Sequence, residues 1–243
     1  MLKIAIPSYN AEKYIGSCIS SIKQQSVEDF EAVIVSDAST DSTIEKAYEE
    51  IKNDSRFRVI SSDKNLGSLS SITLATQELN PNPEDIIVNI DGDDALYLTT
   101  ALEIVTNTYD RTACLMTYGS FKTQSGHITN PNVGKRYAQS IINKNLYRKS
   151  EWLASHLRTY KYHLWKCIDD NDLRDTKGEY WRAAGDLAIM YPMLEMAGNR
   201  QEAISDRIYF YRNNIATNVH ATRRKEQYEA AKTIRQLKPY SLI

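Results

Sequence analysis

Residues 86–97 read IIVNIDGDDALY, four apolar side chains (Ile86, Ile87, Val88 and Ile90) opening directly onto Asp91, Asp93 and Asp94. The apolar run reads as a fully buried strand, set off by the breaker NPNPED before it and the carboxylates after it. Like charges this close repel and raise one another's pKa values unless a cation or a set of donors sits among them. The stretch therefore poses two questions: what sheet the strand belongs to, and what the acids hold.

The chain before it answers the first. Leu2 to Ile6 is a short strand pattern stopped by Pro7, and Asn10 is placed to cap a helix carrying Tyr14, Ile15, Cys18, Ile19 and Ile22 at helical spacing. Ala32 to Val35 reads as a second strand. After it, Ser39, Thr40 or Asp41 can cap a helix with Ile44, Ala47, Tyr48 and Ile51 inward. Phe57 to Ile60 reads as a third strand, and Leu69, Ile72, Ala75 and Leu79 mark a third helix. The order β-α-β-α-β-α-β predicts an α/β fold, a mostly parallel central sheet flanked by helices. Ligands of such sheets bind beyond the carboxyl ends of the strands, where four polar turns fall: PSYN, SDAST, DKNLG and DGDD.

The second half is less regular. Ala113 to Tyr118 reads as a strand, SHLRTY as part of a helix, and Arg207 to Tyr211 as a last strand. A helix is expected from Asp186, with Pro192 kinking it and Gly198 ending it. Trp152, Trp165 and Trp181 lie in an aromatic, basic stretch that reads first as core packing, with ligand stacking as the alternative. The tail from Arg207 to Ile243 carries eight basic residues against two acidic ones and predicts a basic C-terminal helix. Its apolar face is thin, which favours a helix lying on the domain over one on an anionic membrane, with peripheral contact left open.

Bulk composition narrows the class. The 243 residues fit one domain, with 1–110 as the regular α/β half and 111–243 as a second half. A net charge of −1 argues against a general nucleic-acid binder. Cys18, Cys114 and Cys167 are isolated, as in a reducing compartment. MLKIAIPSYN does not read as a leader and no apolar run is long enough to span a membrane, so the expected location is cytoplasmic.

As for the acids, a buried strand ending in Asp-x-Asp suits a hard divalent ion such as Mg²⁺ or Mn²⁺, with Gly92 freeing the turn to aim both carboxylates. The bland alternative is a solvated turn with Asp94 as a helix N-cap. A phosphotransfer loop built on DGDD is disfavoured, because there the nucleophilic Asp follows the first strand.

IPSYN, VSDASTDST, KNLG and IDGDD, in this order and spacing, resemble the family 2 glycosyltransferases. SHLRTYKYHLW and GDLAIMYPMLEMAG resemble stretches of a bacterial and viral subset. The resemblance implies the GT-A fold: a Rossmann-like nucleotide-binding half and a helical acceptor-binding half. It also implies an inverting, metal-dependent transfer from a nucleoside-diphosphate sugar, UDP first with GDP or TDP as alternatives, to a glycan or lipid-linked acceptor. Carried over by position, Pro7, Ser8 and Tyr9 line the nucleoside pocket, Asp37 accepts from the base, and Asn65 and Gly67 form the turn beside the nucleotide. Asp91 and Gly92 sit at the ribose, and Asp93 with Asp91 ligates Mn²⁺ or Mg²⁺. Asp186 is the matching catalytic base, with Gly185 where an acidic partner often stands. His220 is a further metal-ligand candidate. One departure is that Ser71-Ile72-Thr73 lacks the arginine many members carry after the N-x-G turn. It leaves a second reading, a glycosyltransferase-like sugar or nucleotide binder without turnover.

Overall fold

The computed structural model describes residues 1–126, 130–213 and 224–243. Its first half follows the expected alternation: β1 (Leu2–Ser8), α1 (Ile15–Lys23), β2 (Phe30–Asp37), α2 (Thr43–Ile51), β3 (Phe57–Ser62), α3 (Ser68–Glu78) and β4 (Ile86–Asn89). These four strands are parallel, in the order β3-β2-β1-β4. After the two-residue β5 (Ala95–Leu96) come α4 (Ala101–Thr112), β6 (Met116–Thr123), α5 (Gln139–Asn143), β7 (Ser155–Lys161), α6 (Tyr162–Lys166), α7 (Gly185–Ala197), β8 (Gln201–Tyr211) and α8 (Arg224–Gln236). One eight-stranded sheet, β3-β2-β1-β4-β7-β6-β8-β5, runs through both halves.

Successive strand residues point to opposite faces. In β4, Ile86 and Val88 therefore enter a core with Ile15, Ile19 and Ile22 of α1 and Leu102 and Val105 of α4. Ile87 enters the opposite core, formed by Leu187, Met190 and Leu194 of α7 with Ala230 and Ile234 of α8. Burial on both faces explains why the strand reads as a continuous apolar run.

Several local expectations are corrected. SHLRTY is no helix but lies in β7, antiparallel between β4 and β6, with Arg158 opposite Asn89. At period two, His156 and Arg158 share one face, a signal that helical spacing hides. The second half thus contributes strands as well as helices, with β6 shifted to Met116–Thr123 and β8 extended back to Gln201. Asn10 caps no helix; α1 follows Tyr14, and the Asn10 carboxamide binds Thr40 instead. Tyr48 is exposed on α2 rather than inward. Gly198 does end α7, at φ 54°, and Pro192 sits inside that helix.

The C-terminal segment is held by a buried ion pair. Arg148 Nε and Nη2 donate to the Glu195 carboxylate at 2.6 and 2.9 Å, and Arg148 Nη1 donates to the Ile234 carbonyl of α8. Glu195 also accepts from the Tyr240 amide at 2.9 Å. Breaking such a pair leaves an uncompensated buried charge. Arg148→Ala is accordingly expected to lose about 3–5 kcal/mol in urea unfolding, far more than a surface arginine would.

Candidate active site

A cleft of about 530 Å³ opens at the carboxyl ends of β1, β2 and β4 and is closed on the far side by β7 and the start of α7. Pro7, Ser8 and Tyr9 line one wall, Asp37, Asn65 and Gly67 the next, and Asp91, Asp93 and Asp186 the floor and far side. Gly92 does not line the cleft but is packed behind it. A Cβ there would lie 2.0 Å from Ser8 Oγ and 3.1 Å from the Pro7 carbonyl oxygen, so glycine is required by close approach of two strand ends. Ser8 Oγ is itself buried with no hydrogen-bond partner among the described residues.

The walls are stitched together by side-chain to backbone bonds. Asn10 Oδ1 accepts from the Thr40 amide at 2.8 Å, while the Asn10 amide donates to Ser39 Oγ. Thr43 Oγ1 and Asp41 Oδ2 accept from the Ala11 and Glu12 amides. Asp37 accepts from the amides of Leu66 and Gly67 at 2.8 and 2.7 Å, fixing the N-L-G turn against β2. Its carboxylate keeps lone pairs for a further donor.

The acidic turn is tied to β8. Asp94 accepts from Tyr209 Oη and from the Arg212 amide, both at 2.8 Å, and the Asp91 amide donates to Tyr209 Oη at 3.1 Å. Arg212 Nη1 donates to the Asp93 carbonyl. Burial lifts the pKa of all three acids. Asp93 is pushed up to about 6 by burial and then by the Asp91 charge, with Arg212 opposing. Asp94 lies well above the carboxylate range through burial, Asp93 and Asp91. Asp91 is raised by burial and Asp186 against the pull of Arg158.

Such a set favours a cation. Asp91, Asp94 and His156 each offer a ligand atom, all within 4.8 Å of one another. Two carboxylates suit Mg²⁺ or Mn²⁺, and the imidazole shifts the balance towards Mn²⁺. Asp93, the ligand expected from sequence, lines the cleft beside this group. His156 stacks on Tyr209 and Tyr211 at 4.6 and 5.5 Å between centroids, which fixes its plane. His220 lies outside the described residues.

Two guanidinium groups line the cleft, Arg158 and Arg182. Arg158 Nη2 is 3.1 Å from His156 Nε2 and 3.5 Å from Asp186 Oδ2. Arg182 Nη2 donates to Asn65 Oδ1 at 2.6 Å, with its Cα 3.4 Å from where a Cβ on Gly67 would lie. The position in α3 that lacks an arginine thus has a guanidinium beside the same turn, delivered from the second half. No sequence motif announced it; the pairing spans 117 residues. Asp186 is in the first turn of α7 but is not its cap, which is Ala184 in the left-handed region.

Comparisons with known proteins identify the family and the fold. Residues 3–171 match the sequence profile of Glycosyl transferase family 2. A teichoic acid poly(glycerol phosphate) polymerase of Staphylococcus epidermidis is 33% identical over 151 residues, 61% of this chain and 21% of that protein. TarS of S. aureus, solved with UDP-GlcNAc, superposes with TM-score 0.71 at 22% identity, covering 96% of this chain and 65% of that one. The mannosyltransferase PcManGT of Pyrobaculum calidifontis, solved with GDP-Man and Mn²⁺, gives TM-score 0.63 at 18% identity over 98% and 65% of the two chains. The chain spans less than two thirds of each of these relatives, and the structural likeness establishes the GT-A fold.

An acid whose folded pKa is raised makes the fold less stable as pH climbs from its ordinary value, 3.8, through about 6. Asp93→Asn removes that charge. In EDTA at pH 7.5 it should melt about 2–4 °C above wild type, with the gap closing near pH 4, while the stabilisation by Mn²⁺ shrinks. Differential scanning calorimetry across pH checks this; a lower melting point in EDTA would refute the repulsive turn.

Proposed function

The chain belongs to glycosyl transferase family 2, and from that premise we propose that it moves a sugar from a nucleoside-diphosphate sugar to an acceptor hydroxyl with inversion, assisted by Mn²⁺ or Mg²⁺. The observation that carries the reading is the facing of two carboxylates, Asp91 and Asp186, across one cleft with Arg158 against Asp186. A divalent ion held by Asp91, Asp94 and His156, with Asp93 adjacent, would supply charge neutralisation for a departing diphosphate.

The chain's own residues do the rest. Asp186 takes the proton of the acceptor hydroxyl as its oxygen attacks the anomeric carbon; the bond to the diphosphate breaks and the diphosphate leaves. A single displacement inverts the anomeric centre and needs no covalent sugar intermediate. Arg158 and Arg182 lay positive charge along the path of the diphosphate. Asp37 can accept from a ring N–H, as in uracil, guanine or thymine, so UDP is the first choice of nucleotide and GDP or TDP follow. The half up to residue 110 holds the donor, and the half from 111 supplies the base, Trp181 at the cleft and the face towards a glycan or lipid-linked acceptor.

Among the described residues no helix is long and apolar enough to cross a membrane. α8 turns Ala230 and Ile234 into the core and leaves Tyr228 exposed beside its lysines and arginines, so any peripheral membrane contact would rest mainly on that basic face. A pure binding module would have no use for a base in the cleft, and nothing in the geometry favours that reading.

Thermal shifts against UDP, GDP and TDP, with and without Mn²⁺, should single out one nucleotide. Asp186→Asn should keep that shift yet lose about 100-fold or more in transfer rate. Arg182→Ala should weaken nucleotide binding about tenfold, roughly 1.4 kcal/mol. Absence of any nucleotide shift would sink the donor-site assignment.

A further inference from the structure

Asp186 can act as a base only if the start of α7 is held still, and that start carries a conformational cost. Ala184 is its N-cap at φ 55° and ψ 25°, a region L-residues enter at a penalty. The Ala184 carbonyl accepts from the Leu187 and Ala188 amides, so its orientation sets the first turn that bears Asp186. Its own amide is outside the helix ladder and donates to Gln227 Oε1 at 2.9 Å.

Gln227 comes from the first turn of α8, 43 residues along the chain, and its side chain also reaches the cleft. α8 is anchored further along by Ala230 and Ile234 in the core and by the Arg148 bond to the Ile234 carbonyl. The opposite side of the α7 start is pressed on α3. A Cβ on Gly185 would stand 3.0 Å from Leu69 Cβ, so the backbone has no room to retreat that way. The helix start is thus located between α3 and one carboxamide of α8.

We propose that Gln227 is the positioning residue for Asp186: its Oε1 holds the Ala184 amide and, through it, the first turn of α7. This rests on the reading of Asp186 as the base. No bond to a reacting atom is assigned to Gln227.

The test compares wild type with Gln227→Ala, Gln227→Asn and Gln227→Glu. Glutamate keeps an acceptor oxygen at the same reach; asparagine keeps the amide but falls a methylene short. Hydrogen exchange at the Ala184 amide is one readout. The other is nucleoside diphosphate released from UDP-GlcNAc and from GDP-mannose with water as acceptor, resolved into kcat and KM. Expected for Gln227→Ala and Gln227→Asn is loss of amide protection by about tenfold or more, a kcat drop of about tenfold and a KM within about twofold. Gln227→Glu should restore both readouts.

Unchanged protection of Ala184 in Gln227→Ala overturns the proposal whatever donor is used. So does a change confined to KM, which would make Gln227 a donor contact, and so does failure of glutamate to rescue. Asp186→Asn separates the two levels. If it is inactive while Gln227→Ala turns over normally, only the positioning role falls. If Asp186→Asn turns over at the wild-type rate, the base assignment falls and the positioning role with it.

Discussion

The hydroxyl of Tyr209 donates to Asp94 and accepts from the Asp91 amide, and this one oxygen joins the acidic turn to the second half of the sheet. Burial and the neighbouring Asp94 and Asp91 charges hold its pKa well above the usual phenol value, so it stays protonated and can serve both partners. β8, which carries Tyr209, pairs with β6 and β5, and β6 pairs with β7. β7 in turn lies against β4, whose end is the turn itself. The contacts close a circuit, so the backbone of the acidic turn and the Asp94 carboxylate are tied to both sides of the sheet.

The charges of the cleft are divided between the halves of the chain. Asp37, Asp91 and Asp93 come with the parallel strands, whereas Arg158 and Arg182 come from later segments. Neither half alone brings both kinds of charge to the cleft: its guanidinium groups, Arg158 and Arg182, follow residue 110, and Asp37, Asp91 and Asp93 precede it. A sheet continuous from β3 to β5 is what sets the two inventories at fixed separation.

The first half was legible because each of its signals is local. Ile15, Cys18, Ile19 and Ile22 show helical spacing and are all buried, and the four turns fall where parallel strands put them. The DGDD turn was legible as a charge cluster, but not the partners that hold it, since Tyr209 and Arg212 lie more than a hundred residues away. SHLRTY misled because its polar residues resemble one helix face, while its real period is two and its setting is the middle of a sheet. Arg182 and Gln227 carry no motif at all. Their placement follows from tertiary contacts to Asn65 and Ala184, which no window of sequence contains. Gly92 was read as freeing the turn at the ribose, whereas the structure packs it behind the cleft, where the close approach of Ser8 and Pro7 leaves no room for a side chain.

The lattice of bonds between the 8–12 and 37–43 loops bears on recognition in another way. Asn10 reaches Ser39 and Thr40, Thr43 reaches Ala11, and Asp41 reaches Glu12, so both loops take one shape together. Fixing a loop residue costs about 1–2 kcal/mol of backbone entropy. Here that ordering is completed when the chain folds, before any ligand arrives. A ligand meeting this wall would not have to supply that ordering free energy, as a preorganised surface allows. Discrimination between similar ligands there would rest on individual hydrogen bonds, undiluted by the cost of shaping the wall around them.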